Sequence, residues 1–155
     1  MHHAIPGGEM ATVSDILRGK GQDVWAVSPE DTVLSALQLL AEKGVGAVLV
    51  LEAGLVRGIL SERDYARKVV LQGRSSANTP VKEIMTSRVF AVTPSHTVEN
   101  CISLMTEKRI RHLPVMDEGT LVGVISIGDV VKMMLTEKDQ MIDQLTNYIT
   151  TGGYA

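Results

Sequence analysis

The sequence predicts an α/β chain built from two β-α-β-β-α repeats and closed by a C-terminal helix. Three observations predict it: a gapless internal repeat, a pair of hairpin-forming strands in each copy, and amphipathic helical runs placed alike in both. Shifted by 65 positions, residues 24–70 align with residues 89–135. The alignment pairs Val24-Trp25-Ala26-Val27-Ser28-Pro29 with Val89-Phe90-Ala91-Val92-Thr93-Pro94. It also pairs Gly54 with Gly119, Gly58 with Gly123, Ser61 with Ser126 and Asp64 with Asp129. A shorter echo, Val13-Ser14-Asp15-Ile16-Leu17 against Val81-Lys82-Glu83-Ile84-Met85, opens each copy three positions out of that register.

The elements of the first copy follow from local pattern. Ser28-Pro29-Glu30-Asp31-Thr32 supplies capping residues, Val33, Leu37 and Leu40 recur at helical spacing, and Gly44 ends the helix. Residues 47–51 read as a buried strand, Glu52-Ala53-Gly54 as a hairpin turn and residues 55–60 as the returning strand. A second helix begins near Glu62. The second copy places Val98, Ile102 and Met105 on its helix, strands over 113–116 and 121–125 around Asp117-Glu118-Gly119, and a further helix from about Gly128. Met141, Ile142, Leu145, Tyr148 and Ile149 then form an apolar stripe on a C-terminal helix that packs on the module or on a partner, with Gly152-Gly153 fraying its end. The expected organisation is a flexible tail over 1–11, a repeat over 12–72, a polar linker over 73–80, a repeat over 81–136 and a C-terminal helix and tail over 137–155.

Composition bounds the function. A net charge of −3 disfavours a nucleic-acid binder, which normally presents a strongly basic face, so any anion site must be local. No apolar run approaches the roughly 20 residues a membrane helix needs. The first eight residues lack the basic start and apolar stretch of a secretion signal. With Cys101 alone there is no intrachain disulfide, and a reducing cytoplasm is the expected compartment. Cys101 itself falls beside core positions and reads as a buried, inert thiol.

Each copy runs from a strand directly into a helix through Ser61-Glu62-Arg63-Asp64 or Ser126-Ile127-Gly128-Asp129. A helix N-terminus offers unpaired N–H groups and positive dipole charge, a serine adds a hydroxyl, and an aspartate one turn in accepts from paired hydroxyls. That set suits a ribose carrying a phosphate. It equally suits a capping box with no ligand, and both readings stand at this point. Arg63 favours the ligand in copy one, because a cation is out of place in a first helical turn, and Arg67 and Lys68 extend the positive patch. In copy two Gly128 stands in its place, which permits close backbone approach and removes the cation. Gly44-Val45-Gly46 is no dinucleotide loop, since it leaves a helix and enters a strand. Ser126 is no nucleophile elbow, since Val124 stands where glycine is required. No acid–base pair, metal cluster or triad is visible, so the chain reads as a non-enzyme.

The duplicated strand–Ser-x-x-Asp–helix junction, with Arg111-His112-Leu113-Pro114-Val115 upstream of the second, resembles the tandem cystathionine-β-synthase (CBS) domain proteins, in their small stand-alone bacterial form. The resemblance implies two repeats packed in pseudo-twofold fashion around clefts that bind AMP, ADP, ATP and sometimes NAD or S-adenosylmethionine. It implies regulation in place of catalysis, and a homodimer. It further implies that each cleft takes its adenine wall from one repeat and its Ser-x-x-Asp turn from the other. One set joins Ser126, Gly128 and Asp129 to Trp25, Val45, Gly46 and Ala47; the second joins Ser61, Arg63 and Asp64 to Phe90, Ile110, Arg111, His112 and Pro114. Copy one departs from the family's His-x-Pro-Val pattern, with Ala47 and Leu49 where copy two has His112 and Pro114. Core packing accounts for Trp25 and Phe90 as well as purine stacking does. The expected function is an energy or redox sensor that signals by ligand-induced conformational change; the alternative is a ligand-free module that docks a partner enzyme or transporter.

Overall fold

A computed structural model describes residues 10–147. The expected N-terminal tail up to residue 9, Tyr148 and Ile149 of the C-terminal stripe, and Gly152-Gly153 lie outside the described residues. The chain forms two compact units, one from residues 23–90 and one from the described parts of residues 1–22 and 91–155.

In the 23–90 unit, strand β1 (Ala26–Val27) leads to helix α2 (Val33–Lys43), strands β2 (Ala47–Glu52) and β3 (Leu55–Ser61), and helix α3 (Glu62–Tyr65). Helix α3 widens into a π turn over Ala66–Val70. The sheet order is β1-β2-β3, with β1 parallel to β2 and β2 antiparallel to β3. Helix α2 starts on Thr32, whose side chain accepts Ser35 N–H, and stops at Gly44, which takes the left-handed conformation at φ 65°. It presents Val33, Ala36 and Leu40 to a core shared with Val48, Val50, Leu60 and Val69. Burying side chains of this size contributes roughly 1.5–3 kcal/mol each.

The other unit repeats the plan with α4 (Val98–Lys108), β4 (His112–Asp117), β5 (Thr120–Ser126) and α5 (Ile127–Asn147). The strands run one or two residues beyond their predicted bounds, and the hairpin irregularity recurs between Val50 and Leu51 and between Val115 and Met116. Two features differ from the sequence reading. The first strand of the second copy shrinks to a single parallel bridge, Val92 with Val115. The helix after Ser126 and the C-terminal helix are one 21-residue element, because neither glycine nor proline interrupts residues 129–147.

Each unit also takes its opening segment from the other copy of the repeat. Helix α1 (Val13–Lys20) belongs to the unit that holds copy two, while the short 3₁₀ turn Val81–Glu83 belongs to the unit that holds copy one. The hydrogen bonds match across the exchange. Val13 N–H donates to His96 O at 2.9 Å and Val98 N–H to Ala11 O at 3.0 Å; Val81 N–H donates to Asp31 O at 2.7 Å and Val33 N–H to Thr79 O at 2.8 Å. Leu17 lies where a Cβ on Gly123 would fall, 2.8 Å from its Cδ2, and Met85 lies likewise against Gly58, 2.8 Å from its Sδ. Both glycines are conserved between the copies because a side chain there would collide with the incoming segment. The register offset of the opening echo is the sequence trace of this exchange.

Candidate functional site

Both Ser-x-x-Asp turns fold as capping boxes. Asp64 N–H donates to Ser61 Oγ at 3.2 Å, and Ser61 N–H and Oγ–H both donate to Asp64 Oδ2 at 3.0 Å. Asp129 N–H donates to Ser126 Oγ at 3.2 Å, and Ser126 N–H donates to Asp129 Oδ2 at 2.8 Å. The turns therefore hold their helix starts without a ligand, as a cap should.

Each aspartate is also tied to residues that local pattern does not single out. Asp64, 8% exposed, accepts Thr86 Oγ1–H on Oδ1 at 3.0 Å and pairs there with Lys68 Nζ at 3.0 Å. Asp129 pairs through Oδ2 with Lys20 Nζ at 2.7 Å, and the same ammonium donates to Val124 O at 2.8 Å. Lys20 and Thr86 do equivalent work. Thr86 bonds the carbonyl of Ile59 through its own N–H at 2.8 Å and Asp64 through its hydroxyl; Lys20 bonds Val124 O and Asp129 with one ammonium. Both come from the exchanged opening segments. The expectation that the second turn lacks a cation is thus corrected: Gly128 carries none, but helix α1 brings Lys20 across from another part of the sequence. Lys68, seen in sequence as part of a phosphate patch, is turned onto Asp64 instead.

Burial pushes the Asp129 carboxyl up, but Lys20 and the Ser126 hydrogen bonds outweigh it and hold the carboxyl below its ordinary 3.8. His112, paired in register with Ser126, is held below its ordinary 6.5 by burial first, then by the charges of Lys20 and Arg111 against the opposing pull of Asp129. At neutral pH His112 is therefore an uncharged imidazole beside a lysine–aspartate pair.

The remaining predicted residues fall as follows. In the 23–90 unit, Ala47 pairs with Ser61 across the hairpin and Gly46 O accepts Glu62 N–H at 3.1 Å, so Val45, Gly46 and Ala47 adjoin the Ser-x-x-Asp turn of their own repeat. The other unit matches: Arg111 O accepts Ile127 N–H at 2.8 Å, which sets Ile110, Arg111 and His112 beside Ser126, Gly128 and Asp129. Pro114 is buried further along β4, opposite Val124. Arg63 is exposed and forms no ion pair among the described residues. Trp25 is 36% exposed with Lys43 Nζ 4.4 Å from its ring centroid, so the core reading fails for it. Phe90 is half-buried with the Arg88 guanidinium 5.7 Å from its ring. A cation already faces each aromatic ring. Cys101 is buried, as expected, and burial pushes its thiol up to about 11. His96 is half-buried and accepts Thr93 N–H on Nδ1 at 3.0 Å. A recess bordered by Leu17, Arg18, Pro94 and Val122 includes none of the predicted site residues.

A duplicated hairpin unit whose Ser-x-x-Asp turn caps the following helix defines a tandem-repeat α/β protein. The family model of the CBS domain matches residues 13–71 and 81–136, and the chain belongs to the CBS domain family. Among curated relatives, the mitochondrial CBS domain-containing protein CBSX3 of Arabidopsis thaliana is 39% identical, covering 96% of this chain and 76% of its own. A solved protein with CBS domains from Burkholderia ambifaria is 52% identical with a TM-score of 0.80, covering 81% of this chain and 95% of its own. The CBS domain pair of protein MJ0100, solved with methylthioadenosine and S-adenosyl-L-methionine, is 21% identical with a TM-score of 0.74, covering 83% of this chain and 99% of its own. At that identity the likeness is one of fold. CBS pairs are regulatory, ligand-binding modules. No helix among the described residues is long and apolar enough to cross a membrane.

Proposed function

We propose that the protein is a regulatory module that binds an adenine nucleotide, AMP, ADP or ATP, with NAD and S-adenosylmethionine as further candidates, and reports energy or redox state through a ligand-induced change of conformation. The observation that carries this reading is the doubled Ser-x-x-Asp turn in which each carboxylate is paired with a lysine. A carboxylate accepts the two hydroxyls of a ribose, while a neighbouring ammonium and a capped helix start suit the attached phosphate. Ser61, Arg63, Asp64, Ser126, Gly128 and Asp129 would hold ribose and phosphate. Trp25, Val45, Gly46, Ala47, Phe90, Ile110, Arg111, His112 and Pro114 would line adenine. The two turns are unequal in openness: Asp64 is buried with both oxygens engaged, whereas the Asp129 side chain is 23% exposed. The second turn is the better ligand site, which reverses the weighting that Arg63 suggests from sequence.

The relative solved with two adenosine derivatives supports the chemical class. The module would act as a homodimer in a reducing compartment such as the cytoplasm and regulate a partner enzyme or transporter, with no catalysis of its own. A nucleotide at about 100 times its dissociation constant adds about 2.7 kcal/mol of stability, and each kcal/mol is worth about 2–4 °C at this size. A thermal shift panel with AMP, ADP, ATP, NAD and S-adenosylmethionine is therefore expected to raise the melting temperature by about 5–10 °C for the true ligand. No shift with any of them at millimolar levels overturns the sensor reading. One observation favours a ligand-free docking module as the second reading: Val131, Met134, Leu135, Met141, Ile142 and Leu145 are all exposed on α5. Purified protein that carries no nucleotide and stays silent in the panel would select it.

A further inference from the structure

We propose that Lys20, at the end of α1, is a phosphate-reading residue of the second-repeat site and sets its preference for phosphorylated over neutral adenosine ligands. The inference rests on the nucleotide-binding reading above and assigns a role to a residue outside both Ser-x-x-Asp motifs. Lys20 Nζ sits 2.7 Å from Asp129 Oδ2 and 2.8 Å from Val124 O. An ammonium has three donors, and these two bonds leave one. The side chain is about one-third exposed, so the remaining N–H is open to an incoming group. Beside it Gly128 is exposed, and the nearest atom to a Cβ built there is Ser126 Oγ at 3.6 Å, so the helix start is uncovered.

The corresponding tether in the other unit, made by Thr86, which aligns with Arg18 in the echo, shows what this lysine adds. There Thr86 makes the same two bonds, to Ile59 and Asp64, through groups that carry no charge. A tether for the opening segment therefore needs no cation. Lysine at this place brings a positive charge to the second turn, where Gly128 supplies none, and the charge stands directly beside the carboxylate that would take the ribose. A phosphate on that ribose would gain a charge-assisted contact with Lys20; a neutral nucleoside would gain nothing from it. His112, kept neutral partly by Lys20, adds no competing positive charge.

The test is isothermal titration of the full-length protein with adenosine and with ADP, for wild type, Lys20→Met and Lys20→Arg. Lys20→Met is expected to weaken ADP by about tenfold and adenosine by less than about twofold. Lys20→Arg, which keeps the charge, is expected to restore most of the ADP affinity. Equal losses for both ligands, or unchanged ADP binding, overturn the role of Lys20 while leaving nucleotide binding intact. Wild-type protein that binds neither ligand overturns the role of Lys20, and the nucleotide-binding reading falls with it only if the whole thermal shift panel is silent as well. A purely structural lysine would lower the melting temperature of the free Lys20→Met protein and leave the ratio of the two affinities unchanged.

Discussion

Asp129 and His112 make acid sensitivity a local property. A histidine held below its solution value favours the neutral form in the folded state, so protonation of the unfolded chain begins first as pH falls. Stability is therefore complete above about pH 6.5 and declines as pH falls through that value. Asp129, held low, adds a second loss further into the acid range, since its contribution is present above the ordinary carboxylate value and vanishes as pH falls through the lower folded one. His112→Gln is expected to flatten the first decline in urea-unfolding curves measured from pH 7 down to about pH 3 and to leave the second in place. Lys20→Met is expected to move the His112 titration upward by NMR, because Lys20 is one of the charges that holds it down. Cys101, fully buried with its thiol pushed up to about 11, is expected to resist alkylation until the protein unfolds. Rapid modification under native conditions would contradict its place in the core.

Among the elements, the two hairpins test how closely the opening segments pack. A Cβ on Gly58 would lie 2.8 Å from Met85 Sδ and equally close to the backbone oxygen of Thr86, which cannot swing away. A Cβ on Gly123 meets the Leu17 side chain alone. Gly58→Ala is thus expected to cost about 1–3 kcal/mol and Gly123→Ala less, measured by chemical denaturation. Equal costs would show that backbone contact is not the limiting term. The same packing explains why the helix starts are capped so uniformly: Thr12, Ser61 and Thr97 each close a reciprocal box with the residue three positions on, which fixes where each segment meets the sheet.

At the scale of the whole molecule, the exchange of opening segments makes each unit depend on the copy of the repeat it does not contain. Val13, Ile16 and Leu17 are buried on α1. At roughly 1.5–3 kcal/mol each, their removal takes away a large share of the 5–15 kcal/mol typical of a domain. Deletion of residues 1–22 is expected to strip amide-exchange protection from β4 and β5 while β2 and β3 keep theirs. Uniform loss would mean that the units unfold as one.

The repeat, the hairpins, the helix starts and the Ser-x-x-Asp turns were legible in the sequence because each rests on contacts a few residues apart. A cap joins residues three apart, and a left-handed turn such as Ala53-Gly54 or Glu118-Gly119 needs only its own two residues. The three-residue offset of the opening echo was visible too, but its meaning was not, since nothing local says which hairpin a segment will join. Tertiary structure alone decided the rest of the candidate site: Lys20 reaches Asp129 across 109 positions of sequence, Thr86 reaches Asp64 across 22, and Trp25 stands at the surface under Lys43. Long-range pairing follows from which apolar faces bury together, and periodicity announces such a face without naming its partner. The chain itself determined two Ser-x-x-Asp turns with a charged first and an uncharged second. The folded molecule gave each aspartate a distant partner, Thr86 for Asp64 and Lys20 for Asp129, because the segment that completes each unit arrives from the other copy.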